Sequence, residues 1–389
     1  MNVLGAFNNH LPVKVWFGEG RSRNVVDALS EVGATRVLVM IDEGITAFNP
    51  AAAAVLDLLA ASEVDVDVVE KPAGEPTFAM VDDATARVRA ANPDAIVALG
   101  GGSVIDTAKA ARLCDQVSMS FAEFVERRPP YVAPTRSLIA LPTSAGTGSE
   151  VSGGAVIANP EAGTKNGIAH PFLRAQYAIV DPELSASMPP SMTANTGIDA
   201  LAQAIAAMVA NVRTPIGDGI AMEAIRMMAP ALTAAYRDGS DRTARAAMAC
   251  GAMMAGLAMN ISDCTAEHAL GQAIGGVAHV PHGLTIGLVL AEVLERERHY
   301  VPDILERVAD ALGAPDDGTR DGSRCVQAVA AILRDLDFPV LSSLGISESD
   351  LSHLADLALA DYFITMAPVP WTKDDVVTVF SSALALSSR

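Results

Sequence analysis

Asp94-Ala-Ile-Val-Ala-Leu-Gly-Gly-Gly-Ser-Val-Ile-Asp106 is the stretch on which the reading of this chain turns. Residues 95–99 make a short apolar strand. Three glycines and a serine follow, then the helical pattern Val104-Ile-Asp-Thr-Ala-Lys-Ala-Ala-Arg112. Glycines let the backbone come close to a ligand with no Cβ in the way. The free amides at the start of the helix carry about half a unit of positive charge, which suits a phosphate or pyrophosphate. Ser103 stands where an N-cap is expected. A plain strand-turn-helix crossover is the alternative, but three consecutive glycines exceed what a turn requires.

Working outward, 389 residues are long for one core and match two domains better. Half of the residues are apolar and 19% are charged, a globular composition. The net charge of −19 speaks against nucleic acid and anionic membranes as partners. It does not bear on a small substrate, which needs only one local group. Cys114, Cys250, Cys264 and Cys325 form no close-spaced metal pattern and read as reduced thiols of a cytoplasmic protein. The start, Met1-Asn-Val-Leu-Gly-Ala-Phe7, lacks the basic region and apolar stretch of a signal peptide. The longest apolar run, residues 246–259, falls short of a membrane span and reads as a buried helix of a soluble protein.

The two halves differ in rhythm. Strands at 36–41, 64–69, 95–99 and 137–141 alternate with helices at 49–61 and 77–91, which implies a mostly parallel sheet covered on both faces. In such sheets the ligand lies beyond the carboxyl ends of the strands. From Ser191 onward the strand signals fade. Helical spacing then covers 195–212, 216–236, 243–259, 264–277, 304–312, 324–336, 350–359 and 373–386, with a polar surface loop at 313–323. The join falls around residues 181–190, where Pro182, Pro189 and Pro190 are expected to break any regular element. The expected domains are therefore 1–185, α/β, and 186–389, all-helical.

Asp42 follows a strand at its carboxyl end. An acid there can accept hydrogen bonds from both ribose hydroxyls of an adenosine and repels a 2′-phosphate, which favours NAD over NADP. A turn-forming acid before Glu43-Gly44 is the alternative. Leu141-Pro-Thr-Ser-Ala-Gly-Thr-Gly-Ser-Glu-Val-Ser152 is a second loop of small hydroxyl residues after a strand, able to line a cofactor without crowding it. In the helical half, Asp199 and Gln203 share one helix face at i,i+4, and His268 and Gln272 repeat that spacing. His279 and His282 follow on a turn around Val280-Pro281. Two helix faces and such a turn can converge on a divalent ion or a substrate oxygen. His10, His170, His299 and His353 read as surface or hydrogen-bonded core.

Five motifs occur in order: Gly100-Gly-Gly-Ser-Val-Ile-Asp106, Pro142-Thr-Ser-Ala-Gly-Thr-Gly-Ser-Glu-Val151, Asp181-Pro-Glu-Leu184, Thr196-Gly-Ile-Asp-Ala-Leu201 and Pro281-His-Gly283. Together they resemble the iron-containing (group III) alcohol dehydrogenase family over nearly the whole chain. The resemblance implies a Rossmann-like dinucleotide-binding α/β domain with a mostly parallel sheet and an all-α C-terminal domain, a dehydroquinate synthase-like architecture. It also implies a nicotinamide-dependent alcohol/aldehyde reaction in the cleft between them, and a homodimer. It places Asp42, Gly101, Gly102, Ser103, Asp106, Thr143, Ser144, Thr147 and Lys165 around the cofactor.

The family's metal is held by an Asp, a His four residues later and two further His. These fall on Asp199, Gln203, His268 and His282, so the second ligand is a glutamine. Gln272 likewise stands where another His is common, and Met366-Ala-Pro368 replaces an Asn-Pro-Arg segment. An amide oxygen can ligate a hard cation but is a poorer donor than imidazole for Fe²⁺ or Zn²⁺. Two readings follow for the site: a weakly held Fe²⁺ or Zn²⁺, or no metal. Maleylacetate-reducing relatives work on an oxoacid without a metal, and here a protonated His268 or His282 held by Asp199 would supply the electrophile. The leading reading is an NAD(P)-dependent oxidoreductase interconverting a small aldehyde or ketone and its alcohol, with His268, His282 and Asp199 as the catalytic set. A dehydroquinate synthase-like lyase and a non-catalytic nucleotide-binding protein are the rivals.

Overall fold

A strand with no polar side chain must be covered on both faces. Ala95–Gly100 is such a strand, and all six of its residues are buried. In the computed structural model, which describes residues 7, 9–161 and 164–386, it lies inside the sheet of one of two compact units, Leu11–Met188; the other is Pro189–Arg389 together with the described residues before Leu11, which the expected domain 1–185 places with the sheet. The opening segment 1–6, where a signal sequence would stand, lies outside the described residues.

The first unit has strands β1 Lys14–Phe17, β2 Arg36–Asp42, β3 Asp65–Lys71, β4 Ala95–Gly100, β5 Ser137–Pro142, β6 Gly154–Asn159, β7 Thr164–Ala169 and β8 Tyr177–Val180. Six form one parallel sheet in the order β1-β8-β5-β4-β2-β3, while β6 and β7 pair as a separate antiparallel hairpin. Side chains alternate between the faces. Val37, Val39, Ile41, Val97 and Leu99 enter one core layer, and Leu38, Met40, Ile96 and Ala98 enter the other. The chain runs outward from β2 to β3 and returns to β4 on the other side of β2. Asp42 and Gly100, the last residues of β2 and β4, therefore flank the point where strand order reverses, where parallel sheets bind ligands.

The second unit contains no strand among the described residues. Helix α1 Gly102–Cys114 belongs to the first unit; α2 Pro190–Val209, α3 Pro215–Arg237, α4 Arg242–Ser262, α5 Ala266–Ala278 and α6 His282–Glu297 belong to the second. Small residues let α2, α3 and α4 pack closely. A Cβ on Gly197 would stand 2.3 Å from Leu232, and one on Gly251 the same distance from Met228. Helix α4 is longer than the run at 246–259 suggests. At 21 residues it is long and apolar enough, by length and composition, to cross a membrane. Within the unit, Met248, Ala252, Ala255 and Ala258 on it are buried.

Three expectations need correction. The prolines at the join start helices instead of breaking them: Pro182 opens a one-turn helix capped by Asp181, and Pro190 opens α2. A missing N–H costs nothing in a first turn. His282 is not on a turn but is the first residue of α6, a helix that the periodicity does not predict. Its run His-Gly-Leu-Thr-Ile-Gly-Leu-Val-Leu-Ala-Glu-Val holds two glycines and three β-branched residues before its last valine, which mask helical propensity. The N-cap of α1 is Gly101, with Ser103 already in the first turn. The short strands β1 and β8 and the β6–β7 hairpin are likewise additions to the expected elements, because four to six residues show little period.

Candidate active site

Two sets of residues stand out, one in each unit. In the first, the amide of Gly101 donates to Asp42 Oδ2 at 3.3 Å. Lys71 lies 3.8 Å from the other oxygen of Asp42, with its ammonium donating to the carbonyls of Pro72 (2.6 Å) and Gly74 (2.8 Å). Burial pulls the Lys71 pKa down and Asp42 opposes that pull. No side chain caps α1, because its N-cap is a glycine. The oxygen set back from this end is the carbonyl of Ser103, which accepts from Thr107 Oγ1 at 2.7 Å.

The three glycines have different reasons. A Cβ on Gly100 would come within 2.5 Å of Val104 Cγ2, and one on Gly102 within 2.6 Å of Thr147 Oγ1. Both are required by packing. Gly101 has φ −69° and ψ −178°, open to any residue, and its Cβ would meet Ser144 Oγ at 3.6 Å and Asp42 Oδ2 at 4.0 Å, ordinary contacts. Neither backbone nor packing requires glycine there. The small residue leaves room for a ligand.

The loop after β5 is clamped against α1. Thr143 N donates to Gly100 O at 3.0 Å, and Thr147 Oγ1 accepts from Ser149 N at 3.2 Å. Beneath them Asp106 accepts from Ser149 Oγ (2.5 Å) and Val156 N (2.8 Å), while the buried ammonium of Lys109 donates to Ser149 Oγ, Ser152 Oγ and Gly154 O. Burial pushes Asp106 up and brings Lys109 down to about 8, each opposed by the other's charge. Asp42, Gly101, Gly102, Thr143, Ser144 and Thr147 thus gather at one place, with Ser103 in the adjoining turn. Asp106 serves as scaffold below, and Lys165, on β7, is paired with Glu75 at 2.5 Å.

In the second unit Asp199 and Gln203 lie one turn apart on α2, both buried. His268 Nε2 on α5 is 3.4 Å from Asp199 Oδ1, and His282 Nε2 at the head of α6 is 3.8 Å from it. The head of α6 comes this close because residue 283 is glycine: a Cβ there would lie 2.0 Å from the carbonyl oxygen of Asn195 and 3.2 Å from Asp199 Cβ. Asp199 Oδ1, Gln203 Oε1 and His268 Nε2 are buried and have no hydrogen-bond partner. Leaving one such atom unsatisfied costs about 1–3 kcal/mol. Three of them at one place form a donor set, two oxygens and an imidazole nitrogen, that fits a divalent ion, with His282 as a further nitrogen. Burial opposes ionisation of Asp199, but the imidazoles of His268 and His282 beside it outweigh that and hold the carboxyl below its usual range. Burial also opposes a charge on His268, yet its neighbours Cys264 and Asp199 raise its pKa well above normal.

Two features of the site have almost no signature in the sequence. Glu267, beside His268, is buried and reaches His268 Nδ1 at 2.8 Å; an acid in the first turn of a helix is its only signal. Phe363 sets its ring against His268 (centroids 5.8 Å apart), and the 3-10 turn Tyr362–Met366 that carries it is tied down by Asn211, whose amide donates to Met366 O at 2.9 Å.

Residues 12–182 match the family described as iron-containing alcohol dehydrogenase, and residues 193–384 match the C-terminal domain of the Fe-containing alcohol dehydrogenase family. A choline dehydrogenase of Bacillus subtilis (strain 168) is 32% identical over 90% of this chain and 88% of its own length. Among solved structures, a 1,3-propanediol oxidoreductase superposes with a TM-score of 0.93 at 27% identity, covering 97% of this chain and 100% of that one. The sulfoacetaldehyde reductase of Bifidobacterium kashiwanohense, in complex with NAD⁺, gives 0.89 at 27% identity over 98% and 99%.

The glycine contacts separate two substitutions. Gly102→Ala should lower stability by about 1–3 kcal/mol through overpacking against Thr147. Gly101→Ala should leave thermal unfolding unchanged and weaken NADH binding at least tenfold in a fluorescence titration. Unaltered NADH affinity in Gly101→Ala would show that the space beside Gly101 is not used by the coenzyme.

Proposed function

The chain belongs to the iron-containing alcohol dehydrogenase family and is an oxidoreductase of alcohols and aldehydes; we propose that it interconverts a small aldehyde or ketone and its alcohol with NAD, using a divalent ion at Asp199, Gln203, His268 and His282. The convergence of three buried, unpartnered donor atoms in the second unit carries this reading. When bound, NAD supplies the hydride chemistry, and a divalent ion supplies the positive charge that polarises a carbonyl. Asp199 provides the charge that holds such an ion, and His282, more exposed than Asp199, adds a further nitrogen beside it. In the other unit Gly101 and the unshared amides of the first turn of α1 receive the pyrophosphate, and Asp42 receives the adenosine ribose. Ser144 and Thr147 line that position. Lys165, paired with Glu75, completes the residue set assigned to the coenzyme. Four cysteines outside any disulfide support a cytoplasmic setting, and the family resemblance supports a homodimer.

Asp42 should set coenzyme choice. The unaltered chain should bind NADH more tightly than NADPH, and Asp42→Gly should narrow that gap at least tenfold, about 1.4 kcal/mol, by removing repulsion of the 2′-phosphate. Parallel titrations with both coenzymes test this, and equal affinities in the unaltered chain would contradict the placement of Asp42.

Gln203 should make metal binding weaker than an imidazole would. Gln203→His should raise retained metal, because the i,i+4 spacing from Asp199 is already in place. Elemental analysis of both proteins prepared side by side, with alcohol-dependent NADH formation followed before and after chelation, reads the effect. A fully active, metal-free and chelator-insensitive chain would favour an imidazolium at His268 or His282 as the electrophile instead.

A further inference from the structure

Consecutive residues on a helix do not normally face one another, yet Glu267 and His268 are joined. The arrangement is built by the N-cap Thr265. Its backbone amide donates to Glu267 Oε1 at 3.2 Å and its hydroxyl donates to Oε2, which folds the carboxylate back over the first turn of α5. There the helix N-terminus stabilises a negative charge. Oε1 then meets His268 Nδ1 at 2.8 Å. All three side chains are buried.

Cys264, Glu267 and His268 also offer donor atoms within 4.8 Å of one another, which raises the alternative that Glu267 ligates a second ion. The geometry speaks against it. Both oxygens of Glu267 already accept hydrogen bonds from Thr265, and Oε1 lies at hydrogen-bond distance, 2.8 Å, from Nδ1. Glu267 therefore acts on the imidazole. With Nδ1–H donating to Glu267, the proton cannot also sit on Nε2 of a neutral ring. An ion that displaces any proton from Nε2, the unpartnered atom facing Asp199, then meets a lone pair there while Nδ1–H stays on Glu267.

We propose that Glu267 is a positioning residue for the metal site, locking the tautomer and orientation of His268 and strengthening Nε2 as a donor, in a chain whose second ligand is the weaker amide of Gln203. The inference rests on the divalent-ion reading above. A carboxylate behind a ligating histidine raises its basicity, and losing such a partner typically costs 10- to 100-fold in metal affinity.

The experiment uses the full chain stripped with chelator and titrated with Co²⁺, following visible absorption, and with Zn²⁺ by calorimetry. Glu267→Gln keeps size and an acceptor for Nδ1–H but removes the charge; it should weaken Co²⁺ binding about tenfold. Glu267→Ala should weaken it further, toward a hundredfold. For Glu267→Gln, the unfolding midpoint of the metal-free chain and its NADH affinity should stay unchanged, which a merely structural role would not produce. Asp199→Ala serves as the reference for loss of a ligand. Full binding by Glu267→Gln together with loss in Asp199→Ala would overturn the role of Glu267 while leaving the metal site standing. No Co²⁺ or Zn²⁺ binding by the unaltered chain would overturn both.

Discussion

A carboxylate buried in the middle of an alanine-rich helix governs the second unit. Asp199 lies on α2 among Ile198, Ala200, Leu201 and Ala202, all removed from solvent. An ion there costs several kcal/mol unless opposite charge and hydrogen bonds are supplied. No basic residue on α2 supplies the charge, so it comes from α5 and α6, which bring His268 and His282 to 3.4 and 3.8 Å from the same oxygen. That approach depends on two glycines. Gly283 lets the head of α6 rest on the α2 backbone at Asn195, and Gly271 lets α5 lie against Ile286 on α6, where a Cβ would fall 2.4 Å from Cδ1. The donor geometry follows from how closely these helices pack.

The first unit solves a similar problem with the opposite sign. Lys109 is fully buried on α1, and its ammonium is matched by Asp106, two serine hydroxyls and one carbonyl. All but Asp106 belong to the segment from Ser149 to Gly154. The cation thereby fastens that segment to the helix that starts at the glycine turn. Removing one partner of such a buried pair costs about 3–5 kcal/mol. The clamp holds Ser144 and Thr147 beside Gly101 and Gly102. The motif residues Asp106 and Ser149 thus support the glycine turn from below.

Much of this is legible from the chain. The strands β2 to β5 announce themselves because short apolar runs between helices belong to a sheet buried on both faces. The strand β4 with its glycine turn is readable to within a residue. The donor residues Asp199, Gln203, His268 and His282 are marked by i,i+4 spacing and by family resemblance. Elements whose local signal is weak are not legible in this way. Helix α6 carries Gly283 and Gly287, poor helix formers that only packing against Asn195 and Phe338 makes useful. Glu267 carries no spacing signal, since an acid beside a histidine on a helix ordinarily points elsewhere.

Sequence by itself determined the class of the two units, the order of the motifs and the residue types available for coenzyme and ion, because periodicity and composition are local properties of a chain. Tertiary structure alone decided which glycine of the three is free of structural duty. It also decided that Asp106 accepts from Ser149 and Val156, that Lys165 is engaged with Glu75, and that Glu267 reaches His268 Nδ1. Each of these depends on what lies within a few ångströms of an atom, and those neighbours are set by how the chain folds around it.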